Sequence, residues 1–126
     1  MISHSYNQSY QTSSGQFQLN ATVTGNGESN NDTVLAAGAT NVLVSYALIR
    51  SQINSLCLSC TGDCTIKTNS SGSPADTITL LAGVPKFFPT NALATAVGGI
   101  HNADVTALYL SSTAGGTFSI RACLTQ

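Results

Sequence analysis

Charge is what this sequence has least of: Asp, Glu, Lys and Arg together make up 7% of 126 residues, against roughly 25% in an average globular protein. The four fixed cations, Arg50, Lys67, Lys86 and Arg121, stand far apart and the net charge is -1. No electrostatic footprint for a phosphate backbone or an anionic lipid surface exists, which excludes nucleic acid and membrane as expected partners. Tryptophan is absent and aromatics are 6%, thin provision for a platform that stacks on sugars. No stretch reaches the ~18 apolar residues of a membrane span. The first residues, MISHSYNQSYQTSSGQ, lack the basic start and apolar run of a secretory leader. The expectation is synthesis in a cytoplasm.

What fills the surface instead is neutral. Ser and Thr are about a quarter of the chain and Asn occurs ten times, side chains that suit strands and turns and can be buried in a protein contact without the desolvation cost of ions. Weak charge also removes repulsion between copies, favouring self-association or assembly. Four Asn-X-Ser/Thr sequons begin at Asn7, Asn20, Asn31 and Asn69; this composition produces two or three by chance, so they carry no weight.

The length suits one domain with a single core. Residues 1–16, almost wholly Ser, Gln, Asn and Tyr, offer too little apolar surface to order alone and are expected to form an arm, with Tyr6 and Tyr10 as its docking side chains. A β-sandwich is expected over 17–126. From Phe17 the chain alternates, with Phe17, Leu19, Ala21 and Val23 on one face, predicting a half-buried strand. After the loop GNGESNND, the run NVLVSYALI predicts a strand buried on both faces, with a short helix over 42–52 as the competing assignment. INSLCLSC, the tip TGD and CTIKTN predict a hairpin. DTITLLAG predicts a strand, VPKFFPTN an irregular aromatic segment between Pro85 and Pro89, and NALATAVGGIHN a short helix or a loop. DVTALYLSS, TAGG and TFSIRACLTQ predict a second hairpin, with Phe118, Ile120, Ala122 and Leu124 facing inward. Seven to nine short strands without strand-helix-strand alternation give an all-β class: an antiparallel sandwich or jelly-roll-like domain with an extended N-terminal arm.

Three of the four cysteines fall in CLSCTGDC, as Cys57, Cys60 and Cys64, with Cys123 distant. An all-cysteine zinc site is one reading, weakened because such sites bring two close ligand pairs and here the distal partner is single. A redox CxxC would need a helix N-terminus to lower its thiol pKa. Disulfides are geometrically simpler: in a three-residue hairpin loop Cys60 and Cys64 stand opposite, and Cys57 shares the other face with Cys123. On the chain-entropy model the short link contributes about 2 kcal/mol and the long one about 4 kcal/mol. Four reduced, buried thiols are the remaining alternative.

No catalytic constellation stands out. His4 lies in the arm, His101 is near Asp104, and Glu28, Asp32, Asp63, Asp76 and Asp104 are scattered over loops with no nucleophile elbow. Asp76 and Asp104 each precede a strand start, where a turn-closing carboxylate is expected. The chain is expected to be non-enzymatic, with no cofactor and no small-molecule substrate.

The segments SSGSPADTITLLAGVPKFF, NALA and HNADVTALYLSSTAGGTFSIRACL, over roughly residues 69–125, resemble small β-sandwich virion proteins of tailed bacteriophages, of the type that decorates or cements the head. The resemblance implies a structural, often trimeric protein on the outer face of the capsid, bridging major capsid protein subunits, and hence a virion location. Tyr6, Tyr10, Phe87 and Phe88 are the expected assembly contacts. A receptor- or glycan-binding module of a tail or fibre is the alternative.

Overall fold

The computed structural model describes Met1–Gln126 and is almost entirely β. An N-terminal hairpin, β1 (Ile2–Thr12) and β2 (Gly15–Gly25), stands apart as a two-stranded sheet. Eight strands follow: β3 (Gly27–Leu35), β4 (Ala39–Val44), β5 (Ile53–Cys60), β6 (Cys64–Thr68), β7 (Thr77–Leu80), β8 (Lys86–Phe88), β9 (Leu108–Ser112) and β10 (Gly116–Leu124). They form two four-stranded sheets with orders β3-β10-β5-β8 and β4-β9-β6-β7. That is an eight-stranded antiparallel jelly roll, a β-sandwich whose chain crosses the core between most successive strands.

The core follows from alternation along the central strands. On β10, Phe118, Ile120 and Ala122 stand opposite Cys60, Leu58 and Leu56 of β5 and are buried, as is Leu124, giving the inward face that the sequence pattern predicts. From the facing sheet Ile66, Ile78, Leu80, Leu108 and Leu110 close the core, and Tyr46, Leu48, Ile100 and Val105 seal one end.

Both expected hairpins of the sandwich are instead links between sheets. Cys60 ends β5 in one sheet and Cys64 begins β6 in the other, and TAGG likewise carries the chain from β9 to β10. Within the sandwich only β6 and β7 are sequential neighbours in a ladder, joined by residues 69–76. The two crossing links lie against each other at one end of the sandwich. Thr61 and Thr117 exchange bonds, Thr61 N–H donating to the Thr117 carbonyl and Thr117 N–H to the Thr61 hydroxyl, while Ser112 donates to the Asp63 carbonyl and accepts from Gly115 N–H. Gly115 has φ +77° there with no room for a Cβ beside Leu35 and Ala37, so this corner is glycine's by both conformation and space.

Other expectations are adjusted by position in the sheets. β4 is an edge strand with Leu43 61% exposed, so NVLVSYALI is not buried on both faces; the chain leaves the ladder at Val44, and of the competing helix only a 3-10 turn forms, at Arg50–Gln52. KFF forms the short edge strand β8 against Leu56–Leu58, and its length is capped by the flanking prolines. A single helical turn, α1 (Asn91–Ala94), starts where the Thr90 hydroxyl accepts from Leu93 N–H.

The N-terminal arm is not single-stranded. Residues 2–12 pair one-to-one with residues 15–25, from Ile2 opposite Gly25 to Thr12 opposite Gly15, so β2 supplies both the ladder and the apolar side chains that residues 1–16 lack. The sandwich strands begin only at Gly27. Gly25 lets the hairpin cross β10 closely: a Cβ there would strike the Leu124 carbonyl and press on the Cys123 sulfur, whereas one at Gly72 would meet nothing. Gly25→Ala is expected to cost about 1–3 kcal/mol through overpacking, read as a lowered thermal midpoint, while Gly72→Ala leaves the midpoint within a degree or two.

Candidate functional site

The hairpin is two-faced. Directly opposite residues of an antiparallel pair share a face, so His4, Tyr6, Gln8 and Tyr10 lie with Val23, Ala21, Leu19 and Phe17. The other face carries only Ser, Asn, Gln and Thr between Ser3 and Gln11 and between Gln16 and Thr24. At its base the mixed apolar face sits on the outer side of β5 and β10. Tyr6 packs against Phe87 of β8 with ring centroids 5.1 Å apart and planes tilted by 56°, within the range of favourable aromatic pairs. The Asn54 side chain donates to the Thr24 carbonyl at 3.0 Å, and Asn26 and Gln126 bond reciprocally through side chain and backbone. These contacts tie the hairpin base to the sandwich.

Between the base, β8 and the outer face of β5 and β10 remains a cleft of about 350 Å³, walled by Tyr6, Phe87 and Pro89 and floored by Ser55 and Cys57. The Ser55 hydroxyl is the one buried side-chain polar atom without a hydrogen-bond partner. Two side-chain pairs flank this region. His4 Nε2 lies 2.8 Å from the Glu28 carboxylate, and Arg121 grips Asp32 with one nitrogen at 2.8 and 3.0 Å from its two oxygens. Beyond the sandwich the same hairpin face continues uncovered: Tyr10, Phe17 and Leu19 are 68%, 71% and 50% exposed.

Of the expected assembly residues, Tyr6 and Phe87 meet in the cleft; Phe88, opposite Leu56, packs against the core instead, and Tyr10 lies apart at the hairpin tip. Phe17 and Leu19, expected on a half-buried face, are exposed beside it. The signal for them is the alternation Tyr6, Gln8, Tyr10 and its mirror Phe17, Leu19, Ala21 about Ser13-Ser14, which together spell a hairpin.

The carboxylates are all engaged in structural contacts. Asp76, buried, accepts from His101 N–H and from both the backbone and side chain of Asn102; Asp104 accepts from Arg50 N–H; Asp63 accepts from Ala82 N–H. The partners of the Asp76 and Asp104 carboxylates lie 25, 26 and 54 residues away in sequence, so these side chains tie distant loops together and do not close local turns as expected. His101 Nδ1 lies 3.1 Å from the Thr95 carbonyl; the histidine that meets a carboxylate is His4, 2.8 Å from Glu28.

The cysteines separate into two environments. Cys60 and Cys64 project into the core, and Cys57 and Cys123 lie on the outer face of the β3-β10-β5-β8 sheet, opposite Arg121 and Ser55 respectively. No group of three or more ligating side chains converges, so the four-cysteine zinc set is not assembled. All four are thiols. Burial first, then the adjacent Cys60 thiol, pushes Cys64 up to about 12; Cys60 and Cys64 thus meet at the corner, though not as a cross-hairpin pair. Cys57 and Cys123 are offset by two residues across the ladder, a diagonal of about 7–8 Å, longer than the ~4.4–6.8 Å Cα span of a disulfide. Burial also raises Cys57 and Cys123. Alkylation of the native protein at neutral pH, followed by intact mass, is expected to label Cys57 first and slowly, and all four only after unfolding; rapid native labelling of Cys60 or Cys64 would contradict their burial.

Glu28 is held below the ordinary glutamate range by hydrogen bonds from His4 and then Asn30. Asp32 is lowered by Ser119 first and Arg121 second. A carboxyl with a depressed folded pKa stabilises the fold above its unfolded pKa and loses that contribution as pH falls through the folded one. Thermal midpoints are therefore expected to fall below about pH 4, with the drop blunted in a Glu28→Gln/Asp32→Asn variant.

Comparison with protein-family models, curated proteins and solved structures finds no match to this chain.

Proposed function

We propose that the protein is a non-enzymatic structural component of a bacteriophage virion that decorates or cements the head by bridging major capsid protein subunits. The observation that carries this reading is the amphipathic N-terminal hairpin, anchored at its base and presenting Tyr10, Phe17 and Leu19 uncovered at its far end. A continuous apolar face that its own domain leaves open is the mark of a contact surface. The neutral amide and hydroxyl face behind it lends itself to hydrogen bonding against another protein at little desolvation cost. A jelly roll is one of the frameworks that virion proteins use, and the engagement of every carboxylate in a clamp fits a structural role. Attachment stabilises the head by mass action, since a protein that binds only the assembled state opposes disassembly.

Replacing residues 8–19 by Asn-Gly, so that Asn7 and Asn20 flank a two-residue turn, shortens the hairpin and spares its base. Co-sedimentation with empty phage heads stripped of their own decoration protein is expected to show binding by the full chain and at least a tenfold loss for the shortened one, at an unchanged thermal midpoint. Equal occupancy by both would overturn the assignment of head binding to the hairpin.

A further inference from the structure

We infer that the hairpin tip of one copy inserts into the cleft of a second copy, so that Tyr10 and Phe17 of the donor stack against Tyr6 and Phe87 of the acceptor and the chains close into a ring. This rests on the reading of the hairpin as an assembly element and names its first partner.

Donor and acceptor match in chemistry. Tyr10 and Phe17 stand directly opposite each other on one face, forming a paired aromatic wedge that is about two-thirds exposed on each side chain. The cleft is walled by aromatic and proline side chains, and Phe87 on its rim is 46% exposed. The charged groups beside the cleft already have partners: Arg121 holds Asp32, and the Glu28 carboxylate is hydrogen-bonded to His4. Ser55 at the floor has a hydroxyl without a partner, and the Tyr10 phenol is a hydrogen-bonding group of the kind that it lacks.

The occupant has to come from another copy. Tyr10 lies four residues beyond Tyr6 on the same continuous strand, about 13 Å further from the cleft, and the β1-β2 ladder runs unbroken to Thr12 opposite Gly15, so the tip cannot fold back on its own base. Two aromatic side chains carry roughly 300–500 Å². With Leu19 and the matching area lost by the cleft walls, each contact removes on the order of 1,000 Å², the lower bound of a specific interface. Because the tip and the cleft are different surfaces, the contact is heterologous; every copy gives one tip and receives one, and closure by rotation doubles the area per chain. A trimer is the smallest ring in which donor and acceptor are different neighbours.

Cys57 in the cleft floor provides the test. Native mass measurement of the isolated chain at about 50 μM is expected to show a closed oligomer, and Tyr10→Ser/Phe17→Ser a monomer with the same circular dichroism and thermal midpoint. A Phe17→Cys variant under mild oxidation is expected to give disulfide-linked species between chains, through Cys57, that vanish when Cys57→Ser is added. A monomeric native chain, an oligomer indifferent to both tip substitutions, or cross-links that persist without Cys57 would each overturn the inference. A monomeric chain that still binds heads through its hairpin would remove the tip-in-cleft contact and leave head decoration standing, and a tip-linked ring that ignores heads would do the reverse.

Discussion

Everything in this molecule leans on β10 being used on both faces. Its inward side chains, Phe118, Ile120 and Ala122, are essentially inaccessible and anchor the core. Its outward ones, Ser119, Arg121 and Cys123, hold Asp32 on β3 and underlie the hairpin. A strand in the middle of an antiparallel sheet ordinarily has one dry face and one wet one. Here Cys123, on the face that should be wet, is as buried as Phe118, because β2 crosses over it. The hairpin is thereby a third layer over part of the sandwich, and the cleft is the gap where that layer stops short of β8.

The fold class and the inward face of the last strand are readable in the sequence because they depend on period-two alternation alone, a local property. The partners of each strand are not. TGD and TAGG are rich in residues that reverse a chain, but a reversal looks the same whether the next strand lies beside the previous one or crosses the core to the opposite sheet. Deciding between them requires knowing that Gly62 and Gly115 touch, which is a contact between links more than fifty residues apart. The cysteine cluster misleads for the same reason. In a hairpin Cys60 and Cys64 would be cross-strand partners, whereas across a sheet-switching corner they converge from two different sheets.

At the candidate site the legible part is chemical and the hidden part geometric. The aromatic identities of Tyr6, Tyr10, Phe87 and Phe88 single them out in a chain with so few large side chains, and two of the four, Tyr6 and Phe87, do meet. That Phe17 and Leu19 face outward depends on where the sandwich ends relative to the hairpin, since the identical alternation at Ala21 and Val23 is half-buried a few residues later. Amphipathicity reports that one face wants cover; it does not say how far the cover extends.

The topology also sets an order of events in time. β3, the first strand of the sandwich, has no ladder partner except β10, so Asp32 meets Arg121 at a sequence separation of 89 residues, and β5, which has β8 on one side, gains its other neighbour only from the same strand. Contacts this distant in sequence make folding slow, because loop closure must be completed before any of them rewards it. Apart from β6-β7, the only pairing that can form locally is the N-terminal hairpin. On a ribosome it emerges ahead of the sandwich and stands alone, its aromatic face bare, until the last strand arrives to give its base a seat. The nascent chain therefore carries its stickiest surface bare for longest, an interval in which exposed apolar side chains favour aggregation until the sandwich closes beneath them.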